Sequence, residues 1–145
     1  KRSTFREIKN FEYSNYQATE NSSLVLNKNQ IDSNIKNKVF ELVDARSKER
    51  FQGEQPEFRK ELKSGNIEGS KNLPFIELIN KSDKTFKERN KLIDIFKRHR
   101  IDINKNLAFT CGSGITACVL GLANSIISGK KPVIYDGSWA EYGLK

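Results

Sequence analysis

The chain of 145 residues has no methionine, one histidine, one tryptophan, three prolines and only two cysteines. Each scarcity excludes something. Cys111 and Cys118 alone cannot build a disulfide framework. With His99 as the single histidine, there are too few soft ligands for a four-coordinate zinc site, so no metal is expected; no organic cofactor is expected either. No apolar run reaches the roughly 20 residues of a membrane helix. Residues 1–20 are too polar for a signal peptide. The missing initiator methionine points to a processed chain or a fragment of something longer. Charge is unbalanced instead, with 26 Lys and Arg against 18 Asp and Glu, a net +8. Residues 81–105 hold nine of the basic side chains against four acidic ones. That segment lacks the interleaved aromatics of a single-strand binder, so no nucleic acid is expected and a solvated helix face is the simpler reading.

What is present is an alternation of strands and helices. Residues 1–23 are polar, show no sustained period and read as a linker or an N-terminal arm; residues 24–145 form the domain. Leu24-Val25-Leu26 predicts a short strand and 27–36 a short helix. A clear strand over 39–44 ends in Asp44-Ala45-Arg46. A helical turn over 47–50 precedes a polar excursion, 51–64, carrying Pro56 and Arg59. Lys71-Asn72-Leu73-Pro74 predicts a brief strand or loop, and 75–79 a helical turn. A helix over 85–99, capped by Ser82 or Asp83, would turn Phe86, Arg89, Leu92, Ile93 and Phe96 inward. Strands over 107–110 and 132–135 complete the set, with a loop at 136–139. The pattern is that of an α/β fold with a central parallel sheet flanked by helices. In such sheets ligands sit beyond the carboxyl ends of the strands, where Asp44, Cys111 and Asp136 all fall.

The most informative stretch is Leu107-Ala108-Phe109-Thr110-Cys111-Gly112-Ser113-Gly114-Ile115-Thr116-Ala117-Cys118. An apolar strand runs into a loop over 111–116, and a helical pattern is expected from Ala117 to about Ser128. Two glycines let the loop curl until several N–H groups converge, and the helix N-terminus adds partial positive charge. A field of that kind favours the thiolate, the nucleophilic form of a cysteine. Two chemistries use a cysteine at the mouth of an anion nest. Phosphate-ester cleavage also needs an arginine six positions on, to clamp the phosphate bidentately, and that position is Ala117. Sulfane-sulfur transfer needs only donors around a persulfide anion, and a short loop fits a sulfur atom. Sulfur transfer is the better match.

The loop resembles the active-site loop of rhodanese-type sulfurtransferases, and within them the C-terminal domain of the 3-mercaptopyruvate branch. Further matches follow in the family's order over about residues 38–142. They are Asp44-Ala45-Arg46 with Arg50-Phe51, Pro56-Glu57-Phe58-Arg59, Gly65-Asn66-Ile67-Glu68-Gly69, Asn72-Leu73-Pro74-Phe75 and Tyr135-Asp136-Gly137-Ser138-Trp139. Asn66 and Glu68 depart from the family's usual His and Pro, in a structural turn. The resemblance implies a rhodanese-like fold, with Cys111 as the sulfur-carrying nucleophile. Ser113 would assist proton transfer, and Thr116 counts with them among the catalytic residues. Gly112, Gly114 and Ile115 would supply the backbone cradle, and Arg50 and Arg59 would hold the substrate carboxylate and carbonyl. Neutral Gly112-Ser113, where thiosulfate-specific relatives carry basic side chains, favours 3-mercaptopyruvate over thiosulfate. The implied partners are a small-molecule sulfur donor, a thiol acceptor such as thioredoxin (or cyanide), and an N-terminal rhodanese-like domain. Mitochondria are the family-based location, otherwise the cytoplasm. The alternative is a non-catalytic rhodanese-like module serving as a subunit of a larger assembly.

Simpler readings compete at several of these positions. Arg50 and Arg59 could pair with Glu49, Glu54 or Glu57 at the surface. Cys118 is expected only to pack, Asp44 to accept strand-end hydrogen bonds, His99 to end a solvated helix, and Trp139 to pack the rim of the site.

Overall fold

Leu42 and Val43 are adjacent in sequence, as are Ala108 and Phe109, yet in extended chain each pair must face opposite sides. The structure, a computed structural model, describes residue 13 and residues 15–145. The remainder of the predicted N-terminal arm lies outside the described residues. Five strands form one parallel sheet: β1 (Val25–Leu26), β2 (Glu41–Asp44), β3 (Lys71–Asn72), β4 (Leu107–Thr110) and β5 (Ile134–Tyr135). Their order across the sheet is β1-β5-β4-β2-β3. In the central β2–β4 pair Leu42 lies opposite Ala108 and Val43 opposite Phe109. Val43 and Phe109 pack with Leu92, Phe96 and Leu120 on one face; Leu42 and Ala108 pack with Ile31, Tyr135 and Trp139 on the other. The two outer strands have two residues each, too short to offer a long unpaired edge.

Helices connect these strands. α1 (Lys28–Asn37) opens with a reciprocal cap: the Asn27 side chain accepts from the Gln30 N–H and the Gln30 side chain from the Asn27 N–H. α2 (Lys48–Gln52) is capped by Ser47 and stopped by Gly53 at φ +78°. A 3₁₀ turn spans Phe75–Leu78, and α3 (Arg89–Arg98) follows. α4 (Ile115–Ser128) joins β4 to β5, and α5 (Ser138–Tyr142) follows β5.

Several expectations need correction. The helix predicted over 85–99 begins only at Arg89, because the chain before it is a small hairpin. Phe86 bridges Ile79 antiparallel, Asn80 N–H donates to the Thr85 carbonyl at 2.8 Å, and Lys87 N–H donates to the Leu78 carbonyl at 2.9 Å. Asp83, one of the two predicted helix caps, accepts from the Thr85 N–H at 3.0 Å inside that hairpin. Of the expected inward stripe Leu92 and Phe96 are buried and Phe86 and Ile93 pack partly buried against the same core; Ile95 joins them, while Arg89 reaches across to the Ile127 carbonyl at 2.6 Å. The predicted loop after β5 is helical from Ser138, and α4 starts two residues earlier than expected, directly after Gly114.

His99 is not a solvated helix end. Its Nδ1 lies 2.8 Å from the Asn72 carbonyl and its Nε2 3.1 Å from Glu77, tying the end of α3 to β3 and to the 3₁₀ turn. Cys118 is exposed rather than packed, its thiol donating to the Gly114 carbonyl at 3.4 Å.

Lys84 holds φ +63° at the tip of the 80–87 hairpin. Lys84→Gly removes the left-handed strain and is expected to raise stability by up to about 1 kcal/mol. In the predicted helix start a glycine would lower it. The denaturant midpoint separates the two.

Candidate active site

The site begins where β4 ends. Thr110 closes the strand, Cys111 lies 2% exposed just beyond it, and Gly112-Ser113-Gly114 turns the chain into α4. Gly114 has φ +83°, and a Cβ there would come within 2.9 Å of the Asp136 carbonyl oxygen, so both the turn and the close approach require glycine.

The α5 segment orients this loop. Trp139 N–H donates to the Cys111 carbonyl and Ala140 N–H to the Gly112 carbonyl, each at 2.9 Å. All peptides here are trans, so each C=O points opposite to the N–H that follows it. With both carbonyls turned toward α5, the N–H groups of Gly112 and Ser113 point away from it. Among the described residues, neither they nor the Gly114 N–H find a protein acceptor. The first N–H groups of α4 are unpaired by helix geometry. Donors therefore surround the position in front of the loop, as an anion nest requires.

Ser138 underlies the arrangement. It is fully buried at φ +51°, unusual for a non-glycine residue. Its hydroxyl donates to the Tyr135 carbonyl at 2.8 Å and accepts from the Thr110 hydroxyl and the Cys111 N–H, both at 3.2 Å. One donor and two acceptor sites are all a hydroxyl has, so it is saturated. Trp139, expected at the rim, is instead core: 1% exposed, its indole N–H donates to the Lys63 carbonyl at 2.9 Å.

The cationic side comes from α2 and the excursion after it. Arg46 is fully buried, holding Asp44 through Nε and Nη2 at 2.8–2.9 Å and Glu57 through Nη1 at 2.7 Å. Burial pushes the Asp44 carboxyl upward, against the pull of Arg46. The other Glu57 oxygen accepts from Arg50 Nη2 at 2.5 Å, which carries Arg50 over the loop: a Cβ on Gly112 would lie 3.1 Å from that nitrogen. Among the described residues, Arg50 Nε is buried with no acceptor.

A cleft of about 370 Å³ brings together Arg50, Glu57, Phe58, Arg59, Cys111, Gly112, Ser113, Ile115 and Thr116. Of the predicted site residues only Gly114 does not line it, lying behind the loop against Asp136. Sequence patterns assign Glu57, Phe58 and Ser138 no part in the site; pairing of Glu57 with Arg50 is one of the simpler readings, and it coexists with Arg50 in the cleft. A larger groove of about 910 Å³ runs along α3, where Lys87, Lys91, Lys97 and Arg98 alternate with Glu88 and Asp94. Among the described residues no group of His, Cys, Asp and Glu is placed to hold a metal, and no helix is long and apolar enough to cross a membrane.

The family profile described as Rhodanese-like domain matches residues 27–145. The chain belongs to the rhodanese-like family. It is 37% identical over 131 residues to the 3-mercaptopyruvate sulfurtransferase of Mus musculus, a match covering 90% of this chain and 43% of that protein. It is 35% identical over 130 residues to thiosulfate/3-mercaptopyruvate sulfurtransferase 1, mitochondrial, of Arabidopsis thaliana, covering 90% of this chain and 34% of that one. Among solved structures, the Tum1 protein of Saccharomyces cerevisiae superposes with a TM-score of 0.75 at 28% identity, over 83% of this chain and 43% of that one. The chain thus spans less than half the length of these relatives. The rhodanese-like fold expected from the sequence is the one observed.

Two glycines separate the demands of this loop. Gly129, at φ +73° with open space around it, should lose about 1–2 kcal/mol on mutation to Ala from backbone strain alone. Gly114→Ala adds the collision with Asp136 and should cost about 1–3 kcal/mol more in the denaturant midpoint. Only Gly114→Ala should slow alkylation of Cys111.

Proposed function

We propose that this rhodanese-like chain transfers sulfane sulfur from 3-mercaptopyruvate, through a persulfide on Cys111, to a thiol or cyanide acceptor. The observation that carries the reading is a buried cysteine at the floor of a cleft, faced by unpaired N–H donors and overhung by a positioned arginine. The names of the relatives agree with it.

In the first half-reaction the Cys111 thiolate attacks the donor's sulfur. The donor's C–S bond breaks, its electron pair stays on the carbon fragment, and the proton of the donor's S–H passes to that carbon, releasing pyruvate and leaving Cys–S–S⁻. Ser113, exposed at the cleft, is the hydroxyl assigned to that proton transfer, with Thr116 beside it. The N–H groups of the loop and of the first turn of α4 hold the charge of Cys–S–S⁻. Arg50 and Arg59 take the carboxylate and carbonyl; Arg50 offers a desolvated N–H, and Arg59 reaches in from the exposed rim. Then an acceptor thiolate attacks the outer sulfur and Cys111 leaves as thiolate, closing a ping-pong cycle. Loop positions 112 and 113 carry no charge, which suits a monoanionic keto acid better than a doubly charged donor. A thioredoxin-type thiol is the acceptor inferred; the mitochondrion is the compartment inferred, by analogy with the Arabidopsis relative.

Intact mass after incubation with 3-mercaptopyruvate tests the reading. The expected result is a gain of about 32 Da that a reductant removes and that Cys111→Ser abolishes. No gain from either 3-mercaptopyruvate or thiosulfate, in protein whose Cys111 still alkylates, would favour the non-catalytic module.

A further inference from the structure

Phe58 is 82% exposed, although an aromatic ring gains more from burial than almost any side chain. It follows Glu57 directly, lines the Cys111 cleft, and lays its ring 5.0 Å from Cζ of Arg50. The same guanidinium is held by Glu57 at Nη2, and that nitrogen sits over Gly112. Two contacts thus restrict how an anion can reach Arg50. The guanidinium carbon sits over the ring, Glu57 takes part of one edge, and among the described residues the buried Nε–H is left without an acceptor.

From this geometry we propose that Phe58 is a specificity-determining residue, selecting donors that join a planar carboxylate to a carbon skeleton over tetrahedral oxyanions. A planar carboxylate can lie in the plane of the guanidinium and accept at its edge, as Arg–carboxylate pairs do. The carbon body beside it then rests against the phenyl ring. A tetrahedral dianion has no apolar part to place there, gives up a tighter hydration shell, and meets the negative face of the ring's quadrupole. The discrimination is built on the rim of the cleft, away from the loop that holds Cys111. The inference rests on the sulfur-transfer reading for its meaning in the reaction, but its test does not depend on turnover.

Unreactive stand-ins give that test: pyruvate for the keto acid and inorganic sulfate for the tetrahedral dianion, each titrated for protection of Cys111 against iodoacetamide. Phe58 is exposed, so its replacement leaves the core intact. In Phe58→Ala the pyruvate concentration giving half-protection is expected to rise about 10-fold while that for sulfate falls, because the repelling ring face is gone. Phe58→Leu, which keeps apolar bulk without a π face, should fall between. Equal shifts for both anions, no shift for either, or no protection by pyruvate in the unmodified protein would each overturn the proposal. The sulfur-mass measurement, made separately, reports whether transfer occurs at all, so failure of the reaction and failure of this role give different results.

Discussion

Arg46 is the group on which the rest of the site depends. Its guanidinium is buried between two carboxylates, donates also to the Gly65 carbonyl at 2.8 Å, and lies 4.5 Å from the centre of the Trp139 ring. One side chain therefore fastens the end of β2, the long excursion after α2, and the helix that orients the cysteine loop. Asp44 and Glu57 contribute two negative charges, and Arg46 and Arg50 two positive ones, so the cluster is neutral as a unit. A neutral, hydrogen-bonded cluster can be buried; one with a missing member leaves a charge in low dielectric, at a cost of about 3–5 kcal/mol. Glu57 transmits this order outward, because the carboxylate that binds Arg46 with one oxygen aims Arg50 with the other.

The nucleophile and the cations are held by different parts of the fold. Cys111 is set by the sheet and by backbone bonds from α5, so its position follows from strand register and from the left-handed turn at Ser138. Arg50 and Arg59 come from a short helix and an irregular excursion, which borrow rigidity from Arg46 and from the antiparallel bridge between Leu62 and Leu144. The cleft closes between these two supports. Its mouth carries two large exposed apolar side chains, Phe58 and Ile115, at 82% and 75% exposure. Polar groups line the floor and apolar groups the rim, an arrangement suited to a small anion with a short carbon chain.

Structure departs from local sequence pattern where tertiary contacts override it. The 85–99 stretch has helical periodicity, but its first residues find strand-like partners at Ile79 and Leu78 that no local pattern announces. His99 looked solvated among Lys97, Arg98 and Arg100, yet its partners lie 22 and 27 residues upstream. Ser138 and Trp139 sit in a run readable as a loop. Their roles depend on contacts with residues 111 and 63, which only the folded chain brings near.

By itself the sequence determined the class of the fold, the position of the cysteine at a strand end, and the glycines of its loop. These follow from period-2 and period-3.6 patterning and from backbone conformations that only glycine adopts cheaply, all of which act over a few neighbouring residues. The tertiary structure alone decided which way the loop's N–H groups point, which carboxylate aims Arg50, and that Phe58 stacks on it. Those outcomes depend on side-chain contacts inside an irregular excursion and on hydrogen bonds from residues 139 and 140 to residues 111 and 112, which no helix or strand period fixes.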